Sequence, residues 1–220
     1  MLNSIKKKFS LMKYRVHNHR NSDVIVSQPH LANEYSELLG VIESITEEEI
    51  ISNYQERKSK EVKKGLNTTG KNTTKSLSRS INDLIRDGLL NCNWDSETAI
   101  FYNKTYTTKK WRLDFTKNKI CVEVAFNHRE AIPHNILKPV LSTEQNQLKK
   151  EFEAELGVVI TATKSLKKNG NFDNPVGTYE DYIEYFTPYS FFIRNPLIII
   201  GLEALDGFYI DPKTKMPKKV

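Results

Sequence analysis

The chain has 220 residues, a length that fits one compact domain because single hydrophobic cores extend to about 250 residues. Hydrophobic residues make up 38% of it, and 10 Phe and 10 Tyr supply enough bulk for a core, so the composition excludes wholesale disorder. Lys and Arg number 33 against 27 Asp and Glu, and the net charge of +6 makes a polyanionic partner worth testing.

The cysteines and the apolar runs limit the cellular setting. Cys92 and Cys121 are too few for a disulfide scaffold or a four-ligand zinc site. The basic residues 1–8 are followed by more charged residues instead of the apolar stretch of a signal peptide. The longest apolar run, residues 197–200, is far shorter than the roughly 18 residues of a membrane span. We therefore expect reduced thiols, no membrane contact and a cytoplasmic location.

The first half of the chain predicts an arm and a helix. Residues 1–22 are basic without periodicity, which indicates an extended N-terminal arm, and alternating Val24 and Val26 predict a short strand at 23–26. Pro29 opens a helix whose apolar residues recur at spacings of three and four until about residue 54.

Residues 55–80 form a basic segment that contains eight Lys and Arg among Ser, Thr, Asn and Gly. One interpretation is a mobile, solvated linker. The other is an arm that follows the phosphates of a nucleic acid, because cations and hydroxyl groups bind phosphate oxygens. The DNA-binding candidates in this segment are Lys58, Lys60, Lys63, Lys64, Lys71, Lys75 and Arg79.

The second half predicts strands that alternate with helices. The pattern predicts a helix at 80–90, strands at 100–106, 110–115 and 120–126, a helix at 133–156 interrupted by Pro139, a strand at 158–163, a polar loop at 164–178, a helix at 179–186 and a strand at 197–202. Such alternation is typical of a mixed α/β sheet, with α+β character where neighbouring strands form hairpins.

The hairpin at residues 111–126 contains two acids in a pattern that suits a metal. A turn at residues 117–118 would pair Asp114 with Cys121 and Arg112 with Glu123, so that the two carboxylates lie diagonally on one face. Diagonal neighbours are close enough to share a hard cation such as Mg²⁺. The ordinary alternative is a solvent-facing hairpin in which Arg112 and Glu123 form a cross-strand pair.

The same hairpin resembles a known active site. Asp-Phe, a short polar turn and then Val-Glu-Val-x-Phe is similar to the catalytic hairpin of PD-(D/E)XK nucleases, and in detail to the BglII/BstYI group of type II restriction endonucleases. Pro29-His30 before a helix, a Lys-rich segment ending near Arg79, a helix followed by Trp94, and an apolar strand at 196–201 occur in the order of that group.

This resemblance implies a single restriction-endonuclease domain over residues 1–220, with a PD-(D/E)XK core flanked by helices and a basic DNA-binding arm. It implies that Asp114, Glu123 and the backbone carbonyl of Val124 bind Mg²⁺. It further implies a bacterial or archaeal homodimer that cuts double-stranded DNA at a short palindromic site and needs no small-molecule cofactor.

One position departs from the group, whose third catalytic residue is a Gln or a Lys two places after the glutamate. Here that place is Ala125, which can neither orient water nor offset charge. Asn127 or Lys138 could substitute, or the metal could suffice, or the chain could be an inactivated variant that holds intact DNA. The sequence favours the inactivated variant, in which Ala125→Lys or Ala125→Gln would raise cleavage. The remaining alternatives are a non-catalytic DNA-binding relative and a structure-specific repair nuclease.

The polar loop after residue 163 has the residue types that contact bases and phosphates. Asn pairs bidentately with adenine, and Lys contacts guanine or phosphate. The candidates for base contacts are Asn169, Asn171, Asp173 and Asn174, and those for phosphate contacts are Lys164, Lys167 and Lys168. An ordinary surface loop is the alternative, although in the family that the hairpin resembles the corresponding loop faces the DNA.

Overall fold

The computed structural model describes residues 10–63, 73–103, 111–144 and 149–220 of the chain. Within these residues the strands are β1 (Tyr14–His19), β2 (Asp95–Ala99), β3 (Arg112–Lys117), β4 (Ile120–Val124), β5 (Leu156–Ala162), β6 (Leu197–Leu202), β7 (Phe208–Ile210) and β8 (Pro217–Lys219). The α-helices are α1 (Ser22–Ile25), α2 (Pro29–Ser44), α3 (Glu47–Lys63), α4 (Ser78–Asn91), α5 (Ile132–Thr143), α6 (Lys164–Asn169) and α7 (Tyr179–Tyr189).

Strands β1 to β6 form one mixed sheet in the order β1-β6-β5-β4-β3-β2. The central strands β4, β5 and β6 are parallel, and the strands on either side pair antiparallel. Every residue of β5 and β6 is buried, as expected for parallel strands covered on both faces. The prediction of a mixed α/β sheet flanked by helices is therefore confirmed.

The two faces of the sheet bury different clusters, and β4 shows how its side chains alternate between them. Val122 and Val124 contribute to the large cluster that also contains apolar residues of α2 and α4. Ala125, just beyond β4, packs instead with Ile132 and Ile136 from α5. The predicted alternation along this strand is confirmed, and it places the odd-numbered residues on the side of α5.

The N-terminal part of the chain differs from the prediction. Tyr14–His19, predicted as part of an extended arm, pair antiparallel with β6 and form an outer strand of the sheet. The chain then turns through Asn21, whose φ of 55° is left-handed, and residues 22–25 form α1 instead of the predicted strand. The Ser22 hydroxyl accepts the His19 amide at 3.1 Å, which stabilises this turn.

The long helix predicted after Pro29 is two helices, because a capping box begins α3. Thr46 Oγ1 accepts the Glu49 amide at 3.2 Å, and Glu49 Oε2 accepts the Thr46 amide at 2.9 Å. Helix α3 then continues to Lys63, so residues 55–63 of the basic segment are helical. None of the helices in the described ranges has the length and apolar character needed to cross a lipid bilayer.

Three differences concern the second half. Strand β2 lies at residues 95–99, before the predicted 100–106, and residues 104–110 lie outside the described part of the chain. Helix α5 contains Pro139 but ends at Thr143, because Glu144 adopts an extended backbone conformation that cannot continue the helix. The predicted polar loop begins with a short helix, α6, and the small β7–β8 hairpin was not predicted.

Candidate active site

The hairpin of β3 and β4 turns one residue later than predicted. Asn118 has a φ of 52°, a left-handed conformation that Asn tolerates, and it makes the turn with Lys119. The register pairs Cys121 with Thr116. The predicted pairing of Cys121 with Asp114 is therefore wrong by two residues.

Asp114 is fixed to the end of the neighbouring strand by its own side chain. Its Oδ2 accepts the backbone amide of Val124 at 2.7 Å. Burial raises the pKa of the Asp114 carboxyl, against the opposing effect of this amide. The bond holds one acid beside Val124, the residue whose backbone carbonyl was predicted to bind metal.

Glu123 is the most constrained acid of the site. The residue is 5% exposed, its Oε1 accepts a hydrogen bond from Lys138 Nζ, and its Oε2 has no hydrogen-bond partner among the described residues. Burial and the negative charge of Asp114 raise the pKa of Glu123 to about 8. The charge of Asp114 thus acts on Glu123, so the two acids lie near each other, although the register from which a diagonal pair was predicted is wrong.

A divalent cation fits this arrangement, because it would relieve the repulsion and provide a partner for the orphaned Oε2. Within the described ranges, no group of three His, Cys, Asp or Glu side chains is placed to hold a metal ion. Two carboxylates and a backbone carbonyl leave the remaining positions to water and phosphate, which is the coordination that Mg²⁺ prefers.

Lys138 reaches the acids from helix α5 and not from the β3–β4 hairpin. It lies on α5, is 8% exposed and bonds Glu123. The structure thus brings a cationic group to the pair of acids, and this group is one of the two substitutes that the sequence suggested.

Ala125, the position of the usual Gln or Lys, is packed in the core. It is 1% exposed and belongs to the apolar cluster beneath α5 and α7. Its amide donates to the Ile160 carbonyl at 2.8 Å, and its carbonyl accepts Thr161 Oγ1 at 2.9 Å. At position 125, where the family would have its third catalytic residue, this chain therefore has a methyl group packed among apolar side chains.

Asn127, the second suggested substitute, bonds a buried amide. Its Oδ1 accepts Asn135 Nδ2 at 2.8 Å, and the same Nδ2 donates to Tyr182 Oη at 2.7 Å. A catalytic role of Asn127 stays a prediction. The structure shows its side chain as part of a network that joins the end of β4 to α5 and α7.

The readout loop (residues 170–178, between α6 and α7) presents only some of the base-contact candidates. Asp173 and Asn174 are exposed at its rim. Asn171 adopts a φ of 52° and donates Nδ2 to the Lys75 carbonyl at 2.7 Å, and Asn169 Nδ2 lies 3.4 Å from the Leu205 carbonyl. The last two side chains therefore have contacts within the fold, and Asp173 and Asn174 are better placed to contact a ligand.

The three lysines of α6 that precede this loop also differ in whether they are free to contact a ligand. Lys164 and Lys168 have exposed side chains on α6. Lys167 Nζ instead donates to the carbonyls of Asn174 and Val176, both at 2.7 Å. This lysine stabilises the rim of the loop, a role that the sequence did not indicate.

The basic segment is only partly within the described residues, since Lys64 and Lys71 lie outside them. Lys58 Nζ donates to the Lys215 carbonyl at 2.7 Å and so supports the C-terminal hairpin. Lys60 is exposed and pairs with Glu56 at 2.7 Å. Of the remaining candidates, Lys63 ends α3, Lys75 is half-buried and Arg79 is exposed.

Two features beside the acids escaped the sequence analysis. The predicted pair of Arg112 with Glu123 is wrong, since Arg112 Nε lies 3.5 Å from Glu97 of β2. The negative charge of Glu97 also raises the pKa of Glu123.

The second feature that was not predicted is Asn135 on α5, the buried partner of Asn127. Asn135 and Lys138 are three residues apart, and this helical spacing is the signal that could have revealed a shared role.

Comparisons with known proteins identify the family and the fold. The model of the family described as restriction endonuclease BglII/BglIII matches residues 14–202. The crystal structure of restriction endonuclease BglII complexed with a DNA 16-mer is 16% identical, with a TM-score of 0.60, and the match covers 94% of this chain and 88% of that one. Free BglII is 13% identical with a TM-score of 0.51, over 90% and 81% of the two chains.

Comparison with curated protein sequences gives no significant match. At such low identity the two BglII structures establish the fold alone, which is the restriction-endonuclease fold expected from the hairpin. The family model spans most of the chain. The chain therefore belongs to the BglII/BglIII family of type II restriction endonucleases.

Proposed function

We propose that the chain is an active, Mg²⁺-dependent restriction endonuclease that binds a short palindromic site in double-stranded DNA as a homodimer and hydrolyses its phosphodiester bonds. The observation that carries the proposal is the state of Glu123. One of its buried oxygens is bonded to Lys138, and the other, near Asp114, has no hydrogen-bond partner among the described residues. Buried polar atoms without partners are rare, and a bound ion or water is one explanation for such an atom.

Asp114, Glu123 and the backbone carbonyl of Val124 would hold the metal ion. When bound, Mg²⁺ supplies a Lewis-acidic charge that stabilises the negative charge that builds on phosphoryl oxygens. The Val124 amide orients Asp114 through a 2.7 Å hydrogen bond, so this carboxylate need not reorganise when a cation and DNA arrive.

Lys138 would be the third catalytic group. Its ammonium is held at Glu123 by a helix that packs on the catalytic strand, so the cation is fixed before DNA binds. A fixed positive charge in a buried site offsets the charge of the reacting phosphate at little reorganisation cost. In this assignment, Lys138 on α5 performs the role that the family gives to the residue at position 125.

A DNA-binding relative without activity is the second candidate, and Ala125 is the observation that favours it. Incubation of a mixed plasmid substrate with the protein and Mg²⁺ separates the candidates. We expect discrete fragments from a site-specific enzyme. An absence of cleavage would support the inactive relative, and a smear of products would indicate a nuclease without sequence specificity, such as a repair enzyme.

The proposed homodimer has a separate test. A palindromic site presents two equivalent halves, so two copies of the chain related by a two-fold axis match it. Light scattering with Ca²⁺ in place of Mg²⁺ should give two chains for each duplex. A mass of one chain per duplex contradicts the homodimer and leaves the assignment of the acids untouched.

The basic segment should bind phosphates without regard to sequence. Replacing Lys60, Lys63 and Lys64 with Ala should weaken binding to all duplexes alike, because the protein then displaces fewer counterions from the DNA. The slope of log affinity against log salt should shrink by about 0.9 for each phosphate that is no longer neutralised. Lys58 is kept because it supports the C-terminal hairpin.

The matched control for this experiment carries Arg at the same three positions, which preserves the charge and should preserve the slope. Fluorescence anisotropy over a range of salt concentrations measures both variants. An unchanged slope in the alanine variant would show that the segment is a linker.

A further inference from the structure

The chain leaving β4 pairs with the end of the readout loop. The Gly177 amide donates to the Asn127 carbonyl at 3.0 Å, and the Arg129 amide donates to the Pro175 carbonyl at 2.7 Å. The residues between these two bonds form an antiparallel β-bridge. The catalytic strand and the loop therefore share a short ladder, and neither can shift alone without breaking backbone hydrogen bonds.

The side chain of Asn127 extends this connection to α5. It bonds Asn135, which is 2% exposed and also bonds Tyr182, itself 1% exposed. Breaking a hydrogen bond between buried polar groups is costly, because the freed groups find no water. Asn127 and Asn135 thus join the end of β4 firmly to the helix that carries Lys138.

Asn135 and Lys138 lie on one face of α5, since residues three apart on a helix are neighbours. A small rotation or translation of α5 that is imposed at Asn135 therefore moves Lys138 relative to Glu123. The contact from Lys138 to Glu123 is made in the structure, so the network as it stands corresponds to an aligned site.

We propose that Asn127 and Asn135 are positioning residues that couple base recognition by the readout loop to the alignment of Lys138 at Glu123. The proposal rests on the nuclease function proposed above and adds a source of sequence specificity to it. A correct site lets Asp173 and Asn174 bind without displacing the loop. A wrong base pair shifts the loop, and the ladder and the Asn127 side chain carry this shift to α5.

The rim of the loop is stiff enough to transmit such a shift. Lys167 bonds the carbonyls of Asn174 and Val176, which flank Pro175 of the ladder. A misfit at Asn174 is therefore passed into the paired residues instead of being absorbed by a loose turn. Catalytic groups lose about 10²-fold in rate for a displacement of about 1 Å, so a small shift suffices.

The test compares Asn127→Ala with wild type on two duplexes, the preferred site found by selection and the same site with one base pair changed. Single-turnover cleavage with Mg²⁺ and affinity with Ca²⁺ are measured on both. We expect Asn127→Ala to slow cleavage of the preferred site by about 10-fold to 10²-fold. Its rate on the changed site and its affinities should stay within about twofold, so that discrimination in the rate falls.

Two further variants separate positioning from general damage. Asn127→Asp keeps the Oδ1 acceptor of the 2.8 Å bond but loses the longer donation to Asn135 Oδ1, so it should retain more of the rate on the preferred site than Asn127→Ala does. Asn33→Ala, an exposed asparagine on α2, is the matched control and should behave as wild type. Equal slowing by Asn127→Ala on both duplexes, or no slowing on the preferred site, overturns the coupling.

A measurement that needs no cleavage keeps the two proposals distinguishable. The NMR signal of the Lys138 ammonium should respond to the preferred duplex and not to the changed one in Ca²⁺, and Asn127→Ala should abolish this difference. If wild type cleaves nothing yet the NMR difference is present, the proposed activity fails and the coupling stands. An identical Lys138 signal with both duplexes overturns the coupling, whether or not DNA is cut.

Discussion

Glu123→Gln or Asp114→Asn should abolish cleavage while DNA affinity in Ca²⁺ stays within about tenfold, or about 1.4 kcal/mol. Each substitution keeps the shape of the side chain and removes one of the two charges that would hold the metal ion. DNA affinity depends mainly on contacts to phosphates along the duplex, which these acids do not make.

Plasmid cleavage and fluorescence anisotropy measure the two effects, and thermal unfolding shows that each variant is folded. Glu153→Gln is a suitable control, because Glu153 is an exposed acid outside the site. Full activity in either site variant would contradict the assignment of the acids, while activity lost together with all DNA binding would indicate damage to the fold.

Lys138→Met should lower the cleavage rate by about 10²–10³-fold, which corresponds to about 2.7–4 kcal/mol, and leave DNA binding nearly intact. Methionine fills a similar volume on the buried face of α5 but cannot supply the charge at Glu123. Lys138→Arg retains a cation and should keep more of the rate. Single-turnover kinetics distinguishes the two variants.

Substitution of Ala125 tests the same assignment of the third catalytic group from the other side. Because its methyl group is packed in the core, Ala125→Lys should destabilise the protein by about 1–3 kcal/mol and should not accelerate cleavage. This expectation replaces the one drawn from the sequence, in which a lysine at position 125 restores activity. If Ala125→Lys activates an otherwise inactive protein and Lys138→Met changes nothing, the inactivated-variant hypothesis is correct.

Strand β4 could be predicted because its two faces carry different residues and both faces are largely buried. Val122 and Val124 are apolar on one face, and an acid between them can only be tolerated where it has a function or a partner. The pairing register could not be derived in the same way. It depends on which two residues make the turn, and these are Asn118, in the left-handed conformation, and Lys119, one position later than predicted.

Lys138 illustrates why the sequence could name two substitutes for position 125 and not choose between them. The contact from Lys138 to Glu123 depends on how α5 packs on β4, and the local pattern of residues does not indicate this packing. The same holds for β1, whose strand character arises from pairing with β6 and not from its own composition. In the sequence, a lysine has the same local pattern whether it lies on a surface, in a mobile arm or beside a buried carboxylate.

The pairing of β1 with β6 also affects how the protein is made. Tyr14 lies opposite Leu202, so β1 finds its partner only after the residues between β1 and β6 have been synthesised. Pairing over such a separation is slow, because the entropy of closing a long loop must be overcome first. During translation β1 should therefore wait unpaired, and the nascent chain should complete its sheet only after β6 has emerged.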